Sequence, residues 1–461
     1  MSSNFSKVCF SLAALFASLC ANLSLGQEQE TAENAPESPS MLRIRYLEVP
    51  VAVEPGVDPQ MPALPEPELD LEPEDDPEFI RRMSSIREYT ATVESLEQAG
   101  GAWDAGLVEQ LASIAELEQQ QGNHPGAIQA YDRAIHINRI SNGLHTLDQI
   151  PQVEGMIDSY LAIGNWEQAD LYNNYLFFVQ QKAFGADDPR IIPVLDRLAS
   201  WHMRAFNIGY GESLGVRLSS AQMLFRAAVR MVGKHFGRQD ERFERYLRNL
   251  AISGYQASRY PHYSLEVDRA EFRADQELLR DLLNEQGSVV PQGFGIGEAA
   301  LRDIVAYYQE NSEEPYDTAE VITHLADWYL LFDRRRLAQE YYTRAWEILA
   351  AEENGEELIQ KLFGQVVPIP TYANEPKNLA IRSSLSRTRA SLNYAYADIL
   401  VDVTASGATR NIQILTEETA ENAQMLSSLQ REVRTTKFRP LLEEGQLVRS
   451  GGHQFRYRYW Y

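Results

Sequence analysis

The sequence predicts a mainly α-helical protein of stacked helix pairs, closed by a small mixed α/β domain, and three observations select that class. A grid of large and small residues recurs along the middle of the chain, hydrophobic residues make up 44% of its 461 positions, and the apolar period changes from helical to alternating beyond residue 370. That apolar share is enough to bury real cores, and at about 150 residues per domain the length suggests about three units.

The chain begins with an export pattern. Lys7 supplies a positive start, Val8 to Leu25 is an apolar run with small residues, and Ser24-Leu25-Gly26 offers a cleavage tripeptide, so residues 1–26 read as a signal peptide and Gln27 opens the mature chain. The alternative is an uncleaved anchor, since about 19 mostly apolar residues can just span a bilayer. Cys20 lacks a small residue just ahead of it, in Ala17-Ser18-Leu19, which disfavours a lipid anchor. Cys9 and Cys20 both lie inside this segment, so the mature chain has no thiol for disulfides, nucleophilic catalysis or thiolate metal sites. A formal net charge of -24 disfavours nucleic acid and anionic lipid as partners of the bulk surface.

Residues 27–85 read as an acidic, proline-rich linker. Between 27 and 80 there are 15 Asp or Glu against Arg43 and Arg45, with 10 of the chain's 21 prolines, and like charges together with proline keep such a segment extended and disordered. The apolar patch Leu42 to Val53 alternates weakly and could add a strand to a sheet elsewhere.

Residues 86–365 carry the helix pairs. Leu111, Ile114 and Ala115, then Gly122, then Ala127, Tyr131 and Ala134 have the spacing of two antiparallel helices, with alanines where the helices approach and glycine at the turn. The grid recurs at Val153, Met156, Ile157, Tyr160, Gly164, Ala169 and Leu176, and again at Ile322, Leu325, Ala326, Tyr329, Ala338, Tyr342 and Ala345. Two degenerate copies lie between. Leu195, Leu198, Ala199 and His202 pair with Ala221, Phe225 and Ala228; Leu247, Leu250, Ala251 and Tyr255 pair with Ala300, Ile304 and Tyr307. Insertions over 206–217 and 257–296 separate the helices of these two. Five pairs from Thr90 to Ile359 follow, each with an apolar stripe that only a neighbour can cover.

On that grid the segment resembles tetratricopeptide-repeat proteins. The resemblance implies a right-handed α-α solenoid whose concave groove, lined by the first helix of each pair, holds a partner peptide or helix. Carried over position by position, the groove includes Glu116, Glu154, Asp158, Thr323 and Asp327, an acidic face.

Signals for chemistry are poor in context. Gly211-Glu212-Ser213-Leu214-Gly215 matches the nucleophile-elbow pattern, but that device needs a strand feeding the turn, and here a helical stretch, Ile192 to Ala205, precedes it. Gly293-Phe294-Gly295-Ile296-Gly297 lacks dinucleotide spacing and a preceding strand, so it reads as the turn into a helix. His145 with Asp148, and His324 with Asp327, sit three apart, which is two ligands each and no metal site. No catalytic residue, cofactor or metal is expected.

Residues 366–392 connect to the last domain, with Val367-Pro368-Ile369-Pro370 as a break and a helical stretch over Asn378 to Leu392. Residues 393–461 then read as ββαβ. Ala395 to Val403 and Asn411 to Leu415 are strands about Ser406-Gly407; Ala420 to Thr435 is an amphipathic helix with Met425, Leu426, Leu429 and Val433 on one side. Gly445 to Arg449 and His453 to Tyr461 are expected as a hairpin turned by Ser450-Gly451-Gly452. In the last strand Phe455, Tyr457, Tyr459 and Tyr461 share one face, and Arg456, Arg458 and Trp460 the other.

That order, with Asp402-Val403 and Gly407, the Asn411 to Leu415 strand, and Lys437-Phe438-Arg439-Pro440 followed by Gly445, resembles the TonB C-terminal domain family. The resemblance implies the periplasm of a Gram-negative bacterium and an exposed strand that pairs with a segment of an outer-membrane protein, by main-chain hydrogen bonds. The strand would be Gln454 to Tyr461, with Phe455, Arg456, Tyr457, Arg458 and Tyr459 in contact. The function expected is a non-catalytic periplasmic scaffold binding other envelope proteins, with the membrane engaged only indirectly or through an uncleaved N-terminus. The alternative is a TonB-like energy-transducing protein acting on outer-membrane receptors, anchored in the inner membrane and facing the periplasm. It would need a membrane helix with a His, and no His precedes His124.

Overall fold

Asp76 and Pro77 open the helical part of the molecule. The Asp76 carboxylate accepts from the Glu78 amide at 2.8 Å, and Pro77 occupies the first helical turn, where its missing N–H costs nothing. Helix α1 (Pro77–Gly100) therefore begins inside the segment assigned by composition to the linker, whose boundary at 85 is too late. The computed structural model describes residues 46–47, 49–53, 76–211, 213–260, 262–266, 269–283, 293–371 and 393–461. The export segment 1–26 and the stretch Asn378 to Leu392 lie outside the described residues. The chain is mainly helical, with a small antiparallel sheet near its end.

After α1 come α2 (Leu107–Gln120) and α3 (His124–Asn142), α4 (Ile150–Ala162) and α5 (Trp166–Phe184), α6 (Ile192–Ile208) and α7 (Leu214–His235), each packed on the next. Helix α8 (Glu241–Arg259) is followed by two short segments, α9 (Tyr263–Glu266) and α10 (Ala270–Leu283), which pack on α7. It pairs instead with α11 (Gly293–Asn311). Helices α12 (Pro315–Leu331) and α13 (Arg335–Ala350) form the last pair, with α14 (Gly355–Phe363) against α13. Residues the grid assigned to the interior are buried: Ala115, Ala127, Ala169, Ala199, Ala221, Ala326 and Ala338 are fully shielded. The turn between α6 and α7 is much shorter than the insertion expected there.

The glycine run at 293–297 is a packing device within α11. A Cβ on Gly293 would lie 2.5 Å from the Gly254 carbonyl oxygen, and one on Gly297 would lie 2.2 Å from the Trp328 ring. Only glycine allows α8, α11 and α12 to approach so closely.

The sheet is ordered β1-β9-β4-β5, with β2 also on β9. Its strands are β1 (Tyr46–Leu47), β2 (Val51–Ala52), β4 (Tyr394–Val403), β5 (Thr409–Ile414) and β9 (Ser450–Trp460). Helix α15 (Ala423–Thr435) covers one face, burying Met425, Leu426, Leu429 and Val433 against Ile399, Val401, Phe455, Tyr457 and Tyr459. Beside the sheet, β3 (Val367–Pro368) pairs with β6 (Phe438–Arg439), and β7 (Leu442–Glu443) with β8 (Gln446–Leu447).

One expectation for this region fails. Gln446–Leu447 turns back on Leu442–Glu443 through Glu444 and Gly445, both at positive φ, the conformation a two-residue hairpin turn demands. Ser450 to Gly452, expected as a turn, instead open β9, where the Gly452 amide donates to Asp402 at 3.2 Å. The strand that the N-terminal patch allowed for is present as β1 and β2. The apolar patch expected in the linker pairs with the far end of the chain, and all described residues belong to one compact unit, Arg43–Tyr461.

Candidate functional site

Three surfaces follow from the expected site residues: the face of the first helices, the junction between helices and sheet, and the β9 edge. On the first, Glu116 and Asp158 are exposed on α2 and α4. Burial, followed by these two carboxylates, pushes the Tyr131 hydroxyl up to about 12. Glu154 is not open acid: it forms an ion pair with Arg197 on α6. One helix further, Asp196 pairs with Arg245 on α8 at 3.1 Å, and Gln256 donates to Asn207 at 3.2 Å. The Arg204 guanidinium lies 5.3 Å from the centre of the Trp166 ring. The face is therefore a strip of both signs across α2, α4, α6 and α8, acidic at one end. Arg197 and Arg245 escaped the sequence reading because the degenerate third and fourth grids left their outward positions unassigned.

Thr323 and Asp327 do not belong to an open groove; this part of the expected site is corrected. Thr323 is fully buried and donates to the Ala319 carbonyl at 2.8 Å. Asp327, also fully buried, receives Arg439 from β6 through Nε at 3.0 Å and Nη2 at 2.6 Å, and the Tyr342 hydroxyl at 2.5 Å. Arg439 further donates to the Leu362 carbonyl at 3.2 Å and to Thr371 at 3.3 Å. Burial works against the Arg439 cation, but the facing carboxylate more than reverses this and raises its pKa. Lys437 reaches Asp333 at 2.9 Å, while the Gly445 carbonyl accepts from Gln339 at 2.8 Å and Thr343 at 2.9 Å. Lys437, Arg439 and Gly445, quoted above as signature residues of the last domain, thus fasten the sheet to α12 and α13. The reason is steric: the outer side of α12, exposed by its own period, is covered by chain 112 residues away.

On the sheet, the expected free strand is not free. β9 pairs with β4 along its length and, on its other side, with Tyr46–Leu47 and Val51–Ala52. Phe455, Tyr457 and Tyr459 are buried under α15, Arg456 pairs with Asp398 at 2.8 Å, and Arg458 is buried. Among the described residues the sheet ends instead at β5 and at the two short N-terminal strands.

The other residues singled out by the sequence make contacts within the fold. Ser213 precedes α7, and its hydroxyl donates to the Glu266 carboxylate at 2.7 Å, which also accepts from the Gly215 amide at 2.6 Å and the Tyr260 hydroxyl at 2.6 Å. Glu266 thus sits as an anion on the α7 N-terminus; burial opposes its charge, and these three donors outweigh it and lower its pKa. His145 packs edge-on to Phe178 and His324 is buried, and among the described residues no three His, Cys, Asp or Glu side chains gather as a metal site. A groove of ≈ 560 Å³ between α7, α8 and α11 has an apolar floor of Leu247, Leu250, Ile296 and Ala300, rimmed by Arg226 and Asp303. Among the described residues no helix is long and apolar enough to cross a membrane.

No family model matches the sequence, and no curated protein matches it. Among solved structures, the crystal structure of BtubC (BKLC) from P. vanneervenii is similar at 15% identity and a TM-score of 0.33, over 60% of this chain and 92% of that one. At that TM-score the likeness carries no argument.

Proposed function

We propose that the protein is a non-catalytic interaction scaffold of the cell envelope. In this reading the helix pairs form a tetratricopeptide-like right-handed solenoid, and residues 393–461 form a TonB C-terminal-like domain that closes its end. The observation that carries it is the polar strip of the first helices, linked from pair to pair by Glu154–Arg197 and Asp196–Arg245. An extended face of alternating charge suits a helix or peptide of complementary pattern, because rim charges set specificity and on-rate. The buried ion pair between Asp327 and Arg439 supports a rigid end to the array.

Reversing the acidic end tests the reading. The double substitution Glu116→Lys/Asp158→Lys is expected to weaken capture of an envelope protein about tenfold at low salt, roughly 1.4 kcal/mol, without lowering the melting temperature. Unchanged capture of every envelope partner would remove this face from the function. Export to the periplasm is part of the proposal and rests on the pattern of residues 1–26. Mass spectrometry of the mature N-terminus is expected to find Gln27 first; an intact apolar run in the mature protein would refute cleavage.

A further inference from the structure

We propose that the groove between α7, α8 and α11 binds a zwitterionic single-chain amphiphile, an acyl chain on a head that carries a phosphate and an ammonium. This does not rest on the helix-face reading, and either can fail alone.

The period of α8 sets this groove apart from the polar strip. At about 100° per residue, Leu247 and Leu250 leave the helix on the side away from Arg245 and Gln256. The groove volume of ≈ 560 Å³ lies within the roughly 300–1,000 Å³ of small-molecule sites, and its floor of Leu247, Leu250, Ile296 and Ala300 presents apolar side chains to an acyl chain. Gly295 keeps it open. Gly293 and Gly297 are held to glycine by close packing, but a Cβ on Gly295, which lines the groove, would meet nothing within 4 Å. Packing therefore does not demand glycine at 295, and glycine is among the poorest helix formers. What its missing side chain does is leave the groove unobstructed.

The rim carries a charge of each sign on opposite walls. Arg226 on α7 and Asp303 on α11 are both exposed, and among the described residues neither makes a hydrogen bond or an ion pair, with each other or with a third group. Arg230 adds a second guanidinium on the α7 wall, steadied by the Leu283 carbonyl at 3.0 Å. A head with both charges answers both walls, since guanidinium forks match phosphate oxygens and an ammonium suits a carboxylate. A purely anionic head would meet Asp303, and a purely cationic one Arg226 and Arg230. One turn before Arg226, on the same side of α7, Gln222 is fully buried, and neither its amide oxygen nor its amide nitrogen is hydrogen-bonded among the described residues. Buried amides are ordinarily satisfied, and a hydroxyl at the base of the head both donates and accepts.

The test titrates the full chain with lauroyl-lysophosphatidylethanolamine by calorimetry, below the micelle threshold of the lipid, and saturable binding is expected. Gly295→Trp, which fills the groove from a position with free space, is expected to weaken binding about tenfold without lowering the melting temperature. Asp303→Lys is expected to reverse the choice of head: the unsubstituted protein binds the ethanolamine lipid about fivefold more tightly than the phosphoglycerol lipid of the same chain, and the variant prefers the phosphoglycerol lipid. This arm decides the matter even where Gly295→Trp does not fold. No binding by the unsubstituted protein, unchanged binding by a folded Gly295→Trp, or the same head preference with Asp303 and with Lys in its place would overturn the proposal. Phosphoethanolamine without an acyl chain is expected not to bind, and binding as tight as that of the lipid would overturn it in favour of a site for the free head.

Discussion

Arg439→Met is expected to destabilise the folded chain by roughly 3–5 kcal/mol, the cost of leaving one charge of a buried pair alone. The Asp327 carboxylate would remain fully buried with the Tyr342 hydroxyl as its donor, and the Leu362 carbonyl and Thr371 would lose theirs. Asp327→Leu in the native background is expected to cost a similar amount, because it strands the guanidinium instead. The asymmetry lies in the double substitution. With both charges replaced by apolar side chains the desolvation penalty vanishes, so Asp327→Leu/Arg439→Met is expected to recover most of the loss. Lys437→Ala is the control: its partner Asp333 is largely exposed, and such a pair contributes less than about 1 kcal/mol. Urea unfolding followed by circular dichroism measures all four. Additive losses in the double variant would show that the pair is not coupled and that the junction is held by something else.

Acid is expected to weaken the fold well before its carboxylates titrate. His202 is buried on α6, and burial, then the neighbouring Arg217 cation, push its imidazole down to about 3, against the opposing pull of Asp170. His324 on α12 is lowered well below its ordinary value by burial and by Arg248 and Arg439. A depressed imidazole pKa means the folded state refuses a proton that the unfolded chain accepts near pH 6.5. Stability is therefore complete above about pH 6.5 and falls as the pH drops, with His202 alone removing about 2 kcal/mol by pH 5. His324 adds loss in the same direction. Asp170, held below its usual range by Arg217 and Trp201 despite burial, contributes stability that disappears only at lower pH, below about 4. Urea midpoints between pH 7.5 and 5 read the effect. His202→Gln/His324→Gln is expected to flatten that profile, and a flat profile for the unsubstituted protein would disprove the assignment.

Part of this was legible in the chain alone. Small residues at helical spacing marked where helices cross, because an alanine at a crossing is needed whatever lies around it, and Ala115, Ala127 and Ala338 are all fully shielded. The faces of β9 and the stripe of α15 followed from periods of 2 and 3.6. The candidate site was less legible. Glu116 and Asp158 lie exposed as expected, but Glu154 proved to be paired, Thr323 and Asp327 lie inside, and the strand expected to be free is covered.

By itself, then, the sequence determined the mainly helical class, the terminal sheet and which side of each element is apolar. These are local properties, set by each residue's side chain and its period. Tertiary structure alone decided which polar sides stay wet. Asp327 meets Arg439 across 112 residues because the sheet settles on α12, and nothing in the period of α12 records that covering. Residues 46–47 and 51–53 close the β9 edge through main-chain hydrogen bonds, which every residue but proline can donate, so the pairing leaves almost no mark on the side chains that make it.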